Sequence, residues 1–235
     1  MTMSKPVCAI LGVGPGNGEA FARRFSEGGY TVALMARRGD VIDPLAGGLP
    51  DAHAYRCDAA DAADIERCFA EIRDRQGEIE TLIYNAGSGI WGSVEEVSAA
   101  DFETCWRINA HRAFVASQQV IPSMKAAGRG NIVMIGATAS RRGGAKSAAF
   151  AAGKAAQRSL AESMARHLWP AGIHVSLLII DGVIDLERTR ARMPDKPGDF
   201  FLQAADIAET AWRTTRQNRS AWSFEVEARP FGETW

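Results

Sequence analysis

The chain has 235 residues, a length that suits one large α/β domain better than two small ones. Hydrophobic residues make up 46% of it and charged residues 23%, as expected of a globular protein with a sizeable core. The net charge of −1 argues against a nucleic-acid-binding protein, which would carry a surplus of Lys and Arg.

The sequence also argues against a membrane protein, a disulfide-bonded protein and a metalloprotein. No apolar run approaches the roughly 18 residues of a membrane span, and the start "MTMSKPVCAI" lacks the apolar stretch of a signal peptide. The four cysteines form no CxxC pair, so we expect reduced thiols in a cytoplasmic protein. The four histidines have no metal-ligand spacing, and we therefore predict no metal site.

Short apolar runs alternate with longer amphipathic runs along the whole chain. In chain order, strands are predicted at residues 6–12, 31–36, 52–58, 81–87, 131–137 and 173–180, with a final strand inside residues 220–235. Helices are predicted at residues 18–29, 61–76, 99–127, 148–169 and 203–218. This alternation predicts a single-domain, doubly wound Rossmann fold over residues 1–235, with about seven parallel strands and helices on both faces.

One stretch does not fit this alternation. Residues 186–199, "LERTRARMPDKPGD", are too charged and too rich in proline for a core element. Ligands of a doubly wound sheet bind beyond the carboxyl ends of its strands, so a loop placed after a late strand is expected to cover the ligand site.

The first strand runs into a glycine-rich turn, "ILGVGPGNG" at residues 10–18. Gly12, Gly16 and Gly18 stand in a GxxxGxG spacing, which allows a tight turn and a close approach of ligand to backbone. Such a turn can hold the pyrophosphate of a dinucleotide or the amino-acid end of S-adenosylmethionine, and a structural turn would use the same residues.

The end of the second strand bears on this choice. Methyltransferases usually place a carboxylate there for the ribose hydroxyls, whereas this strand ends in Arg37 and Arg38. A guanidinium binds phosphate well, which indicates the 2′-phosphate of NADP(H) rather than the bare ribose of NAD. Two solvated arginines at a strand end would look the same in the sequence.

Several motifs together resemble the short-chain dehydrogenase/reductase family over nearly the whole chain. The glycine turn matches the family's TGxxxGxG with Leu11 in place of Thr, and the run after the fourth strand matches its NAG element with Tyr84 in place of the first Asn. Asn109 corresponds to the asparagine of the family's catalytic tetrad, and Lys154 corresponds to the lysine of its YxxxK motif.

The resemblance implies which residues contact the cofactor. In the family, the residue equivalent to Asp58 holds the adenine amino group, and the lysine holds the nicotinamide ribose. The predicted cofactor-binding residues are Gly12, Gly16, Asn17, Gly18, Arg37, Arg38, Asp58, Asn85, Ala86, Gly87, Lys154, Gly182 and Ile184. The predicted catalytic residues are Asn109 and Lys154.

The chain departs from the family at two catalytic positions. The tyrosine that would protonate a carbonyl oxygen is Phe150, and the serine that would polarise the carbonyl is Ala137. After the sixth strand, the family's proline and threonine are replaced by Asp181 and Leu186. Substitute proton donors nearby are Thr138, Ser140, Ser147 and Lys154, although Thr138 is expected to point to the opposite face of the strand from Ala137.

Two functions remain open at this point. The first is an NADP(H)-dependent oxidoreductase that acts on a small carbonyl or alcohol substrate through an altered catalytic site. The second is a non-catalytic NADP(H)-binding sensor or regulator on the same fold. The resemblance also implies a homodimer or homotetramer, with the helices at 99–127 and 148–169 on the subunit faces.

Overall fold

The computed structural model describes residues 5–232, whose strands form one large parallel sheet and one short pair. In chain order, the strands are β1 (Val7–Leu11), β2 (Thr31–Ala36), β3 (Ala52–Arg56), β4 (Ile79–Tyr84), β5 (Gly130–Ala137), β6 (Ile173–Ile180), β7 (Val183–Ile184), β8 (Phe201–Leu202) and β9 (Glu225–Ala228). The large sheet has seven strands in the order β3-β2-β1-β4-β5-β6-β9, and β7 pairs with β8. All of these pairings are parallel, which confirms the predicted doubly wound α/β fold.

Helices cover both faces of the sheet. They are α1 (Asn17–Glu27), α2 (Gly39–Gly47), α3 (Ala62–Gln76), α4 (Ala99–Trp106), α5 (Arg112–Ala127), α6 (Ala148–Leu168), α7 (Glu187–Arg192) and α8 (Ala204–Thr215). Buried side chains of α3, α5 and α6 pack on one face, and those of α1, α2 and α8 pack on the other. None of the helices in this part of the chain combines the length and apolar character that crossing a bilayer requires.

Central strands are buried from both sides, which explains why their sequences are continuously apolar. All eight residues of β6 are buried. Its odd-numbered residues from Ile173 to Ile179 pack with α6, and Leu178 and Ile180 pack with α1 and α8. Successive side chains of a strand point to opposite faces, so both halves of the core depend on the same strand register.

Two helices differ from the sequence prediction. Helix α2 was not predicted because it contains Pro44 and ends among glycines, yet Ile42 and Leu45 bury its inner face against the sheet. The predicted helix at 99–127 is divided by a π-helical turn at Arg107–His111. The wider turn leaves the Ile108 carbonyl available to the Tyr84 hydroxyl, which donates to it at 2.5 Å.

The predicted irregular loop is more ordered than its composition suggested. Helix α7 lies inside residues 186–199, and β7 and β8 pair on either side of it. The Asp185 carboxylate accepts two hydrogen bonds from Arg190, at 2.7 and 2.8 Å, and one from Gln203. The Arg190 guanidinium lies 4.1 Å from the ring centroid of Phe201. We call residues 183–202 the lid region.

An ion network joins the carboxyl end of β6 to β9 and to the turn after β5. Asp181, only 3% exposed, accepts hydrogen bonds from the Thr138 hydroxyl and from the Arg229 guanidinium. Arg229 also contacts Glu227, and Arg141 bonds to both Glu225 and Glu227. Burial alone would raise the pKa of Asp181, but Thr138 and Arg229 outweigh it and hold that pKa below its ordinary value.

Asp181 is therefore expected to stabilise the fold near neutral pH and to lose this effect in acid. Its pKa is lower in the folded chain, so its contribution is complete above the unfolded value of about 3.9 and is lost as the pH falls through the folded value. We expect Asp181→Asn to lower the free energy of unfolding by about 2 kcal/mol at pH 7, the scale of a hydrogen bond between charged groups. In urea titrations, this difference should shrink below pH 4.

The matched control is Asp51→Asn, because Asp51 also has a lowered pKa but is exposed beside Lys5. It should change stability far less, as surface ion pairs do. Equal effects of the two substitutions at pH 7 would contradict the structural role given to Asp181.

Candidate active site

The glycine turn after β1 packs against the residues that follow β4. Gly12 has a φ of +101°, and a Cβ atom there would lie 2.4 Å from the Ala86 nitrogen. The Asn85 side-chain amide donates a 2.7 Å hydrogen bond to the Gly12 carbonyl. Asn85 and Ala86 therefore pack against the predicted cofactor loop and hold it in place. Only glycine fits at position 12.

Two features of the loop suit a bound ligand. Gly14 has no atom within 4 Å of the position of a Cβ, so the backbone there faces open space. Asn17 is 8% exposed, and its Oδ1 atom has no hydrogen-bond partner among the described atoms. A buried acceptor without a donor is costly, so the loop fits a ligand that donates hydrogen bonds, as a ribose hydroxyl does.

A cluster of arginines lies at the ends of β2 and β3. Arg37 and Arg38 are exposed, and neither makes an ion pair or side-chain hydrogen bond within residues 5–232. The register of β2 and β3 places Arg56 beside Ala36, and its guanidinium lies 2.5 Å from where a Cβ of Gly39 would be. Arg56 could not be assigned to this cluster from the sequence, because its position depends on the register of β2 and β3 and on where α2 begins.

Asp58 lies just beyond β3 and faces the same edge of the sheet. Its Oδ1 atom accepts a 2.9 Å hydrogen bond from the Ala60 nitrogen, and its own nitrogen donates to Asp64. These two contacts fix the turn and orient the carboxylate that is predicted to meet the adenine.

The two predicted catalytic residues meet beneath Gly87. A Cβ on Gly87 would lie 3.2 Å from Asn109 Oδ1 and 3.8 Å from Lys154 Nζ. Asn109 is fully buried on the π-helical turn, where its amide donates to the Ser88 and Cys105 carbonyls at 2.9 Å. Its Oδ1 atom has no partner within the described part of the chain, so a polar group between it and Lys154 would be well bound.

Lys154 is 6% exposed, and its ammonium donates to the Ile135 carbonyl at 2.7 Å and to Gln157 Oε1 at 3.2 Å. Burial lowers the pKa of Lys154 to about 8. An amine with such a pKa exchanges protons readily near neutral pH.

Phe150 occupies the vacant tyrosine position one helical turn before Lys154 and is half-buried. Its ring packs against Trp91, with the ring centroids 4.9 Å apart. Trp91 is 65% exposed, so this pair forms an apolar wall that faces solvent. The wall replaces a hydroxyl with hydrocarbon at the place where a carbonyl oxygen would otherwise be protonated.

The hydroxyl groups near Ala137 are already engaged. Thr138 donates its proton to Asp181. Ser140 accepts a hydrogen bond from the Ala137 nitrogen. Ser147 exchanges hydrogen bonds with Gly144. A hydroxyl has one proton to donate, so Thr138 and Ser147 have none left for a substrate.

The predicted nicotinamide contacts lie at the start of the lid region. Gly182 follows β6, and the Ile184 carbonyl accepts a 2.6 Å hydrogen bond from the Thr189 hydroxyl. The Leu186 side chain lies against Gly16, where a Cβ would be 2.6 Å from its Cδ2 atom. The lid region thus contacts the glycine loop through an apolar side chain at the position of the family's threonine.

One cluster contains groups that could bind a metal ion. The ligand atoms of Cys57, Asp64 and Cys68 lie within 4.8 Å of one another under the Asp58 turn. The Arg67 guanidinium bonds to Asp64 at 2.5 Å and to Cys68 at 3.2 Å. The positive charge of Arg67 therefore already balances this cluster. The spacing of the cysteines in the sequence did not suggest the cluster.

Comparison with known proteins identifies the family. Residues 6–196 match the family described as short chain dehydrogenase. A sorbitol dehydrogenase from Cereibacter sphaeroides is 33% identical over 189 residues, which cover 80% of this chain and 73% of that protein. A crystal structure of a short-chain dehydrogenase from Rhodopseudomonas palustris is 32% identical with a TM-score of 0.82, covering 96% of this chain and 99% of that one.

A metagenomic short-chain oxidoreductase, solved in complex with NADP, is 25% identical with a TM-score of 0.82. The match covers 99% of this chain and 100% of that one. The family match covers residues 6–196, and the similarity of fold covers 96% or more of the chain. The chain therefore belongs to the short-chain dehydrogenase family.

Proposed function

We propose that this protein is an NADP(H)-dependent oxidoreductase that interconverts a carbonyl and an alcohol through an atypical proton donor. The observation that carries the proposal is the arginine cluster next to the glycine loop. The side chains of Arg37 and Arg38 have no partner in the described chain, and the Arg56 guanidinium lies against the adjacent Gly39 and pairs with Asp43 at 3.8 Å. Exposed guanidinium groups at this edge suit a 2′-phosphate, and a structural relative was solved with NADP.

Residues along the sheet edge would hold the cofactor, which supplies hydride when bound. Gly12, Gly16 and Gly18 would admit the pyrophosphate, and Asn17 Oδ1 would accept a hydrogen bond from a ribose hydroxyl of the cofactor. Asp58 would contact the adenine, and Lys154 would lie beside the nicotinamide ribose. The carboxyl ends of parallel strands bring these groups to one edge, where ligands of this fold bind.

The site would be slower than one that contains a tyrosine. A positioned general acid contributes about 10²–10⁴-fold to a rate. The scaffold keeps the part of catalysis that comes from holding the substrate against the cofactor. Trp91 and Phe150 offer an apolar surface, which favours a carbonyl compound with a hydrophobic substituent.

We also propose that two chains associate through α5 and α6. An apolar groove between these helices is lined by Phe114, Ile121, Leu160, Met164 and Leu168. Phe102, Trp106 and Phe114 are each at least 40% exposed along α4 and α5. Adjoining apolar surfaces of this kind mark interaction sites, and a second copy presents the matching helices.

The first prediction concerns cofactor choice. We expect NADPH to bind at least tenfold more tightly than NADH in fluorescence titrations. Replacing Arg37 by Asp should reverse the preference, because a carboxylate repels a phosphate and accepts ribose hydroxyl protons. Arg56→Ala should weaken NADPH binding and leave NADH binding unchanged.

Arg75→Ala is the control, since Arg75 lies on α3 and pairs with Glu71 away from this edge. Equal dissociation constants of the unmodified protein for NADPH and NADH would exclude the 2′-phosphate site.

The second prediction concerns assembly. Light scattering at micromolar concentration should give at least twice the 25.3 kDa mass of the chain. Phe114→Glu should reduce it to the monomer mass, because a carboxylate at this exposed position in the groove would lose its hydration on association. Val94→Glu changes an apolar residue that is 84% exposed elsewhere and should leave the mass unchanged. A monomer in the unmodified protein would contradict the proposed interface.

The third prediction concerns the missing catalytic groups. The double change Phe150→Tyr with Ala137→Ser should raise the rate of carbonyl reduction by up to about 10²–10⁴-fold, the scale of the restored acid. Because Phe150 is half-buried, its added hydroxyl can be hydrated, and the melting temperature should change little.

Phe102→Tyr, at an exposed position on α4, is the control and should leave the rate unchanged. If the double variant binds NADPH normally and melts at the same temperature but reduces no carbonyl faster, the proposal that the missing hydroxyl groups limit the rate is wrong.

A further inference from the structure

A buried glutamine lies directly behind the predicted catalytic lysine. Gln157 is 0% exposed and follows Lys154 by three residues on α6, so the two side chains share one face of the helix. Its Oε1 atom accepts the 3.2 Å hydrogen bond from Lys154 Nζ, and its Nε2 atom has no partner among the described atoms. A buried side-chain amide whose NH₂ group makes no hydrogen bond destabilises the fold. We therefore expect Gln157 to have a role that offsets this cost.

The surroundings of Lys154 indicate what this role is. No carboxylate contacts the ammonium within residues 5–232, and the titratable group that faces it is the Cys105 thiol of α4. Its other polar neighbours, the Ile135 carbonyl of β5 and Gln157 of α6, are uncharged dipoles. The amide oxygen of Gln157 is thus one of two acceptors that keep a buried amine protonated.

Lys154 also retains a proton, whereas the Thr138 and Ser147 hydroxyls have already donated theirs. An ammonium has three N–H donors, and two are used by Ile135 and Gln157. Phe150 and Ala137 carry no donor, and the protons of Thr138 and Ser147 are engaged. Because Gly87 has no side chain, there is a gap above Lys154 Nζ. A Cβ atom on Gly87 would lie 3.8 Å from Nζ.

We propose that Lys154 is the catalytic acid for carbonyl reduction in this chain and that Gln157 is a positioning residue that holds its ammonium charged. The proposal rests on the proposed oxidoreductase function. In the step, the carbonyl carbon receives hydride from the reduced nicotinamide, and the electron pair of the C=O π bond moves to oxygen. That oxygen takes a proton from Nζ, which leaves a neutral amine, and solvent returns the proton to it.

Burial supports this role because it brings the acidity of Lys154 into the useful range. The pKa of about 8 leaves the amine mostly charged at pH 7 and still able to release a proton. Without the Gln157 oxygen, the charged form would lose one of its acceptors, and the pKa would fall further.

The proposal can be tested without turnover, since the chain has only five lysines. In protein labelled with ¹³C at lysine Cε, the Lys154 resonance should titrate near pH 8, and the resonances of the exposed Lys5, Lys125, Lys146 and Lys196 serve as internal references. Gln157→Leu should lower the Lys154 pKa by at least half a unit, about a threefold change in proton affinity, and leave the four reference resonances unchanged.

Kinetics then connect the titration to the reaction. For NADPH-dependent reduction, kcat/KM should decrease above the Lys154 pKa, and Gln157→Leu should move that decrease to lower pH by the same amount. Lys154→Arg keeps the charge but raises the pKa, so it should bind NADPH and abolish this pH dependence. Gln157→Glu should move the Lys154 pKa upward, which separates an electrostatic role from a packing role.

An unchanged Lys154 pKa in Gln157→Leu would overturn the role of Gln157. Carbonyl reduction by Lys154→Arg at the unmodified rate and pH dependence would overturn the role of Lys154 and leave the oxidoreductase function standing. A protein that binds NADPH but reduces no carbonyl would overturn the proposed function and the acid role together.

Discussion

The close contact between the turn after β1 and the end of β4 determines the arrangement of the whole site. Gly12 can lie against Ala86 only because it has no side chain, and the Asn85 amide fixes the turn through the Gly12 carbonyl. This contact joins the predicted pyrophosphate loop to the segment that continues to Gly87. Since Gly87 borders both Asn109 and Lys154, one backbone contact aligns the predicted cofactor loop with the predicted catalytic residues.

We propose that an amine takes the place of the family's hydroxyl groups in the site of this chain. Where relatives of the family place tyrosine and serine, this chain has an apolar wall, and Asp181 engages the nearest hydroxyl. The ionised carboxylate of Asp181 strengthens the β6–β9 end of the sheet and cannot serve as an acid near neutral pH, because its pKa is lowered. What remains beneath Gly87 is a buried ammonium between two neutral acceptors.

Much of this architecture follows from the sequence. The buried strands and the glycine turn give clear patterns because hydrophobic periodicity and glycine spacing act locally. Features set by tertiary contacts could not be predicted. The β2–β3 register brings Arg56 to the arginine cluster. The role proposed for Gln157 depends on its contact with Lys154, which the sequence does not show. Helix α2 forms because packing of Ile42 and Leu45 overrides the signal of Pro44.

We propose that this chain transfers hydride to a carbonyl despite its missing hydroxyl groups. The most direct test uses NADPH deuterated at the transferring position of nicotinamide C4, incubated with the protein and a panel of hydrophobic aldehydes and ketones. We expect an alcohol one mass unit heavier than that formed with unlabelled NADPH. Saturable NADPH binding without deuterium in any alcohol, from labelling on either face of C4, would contradict this proposal.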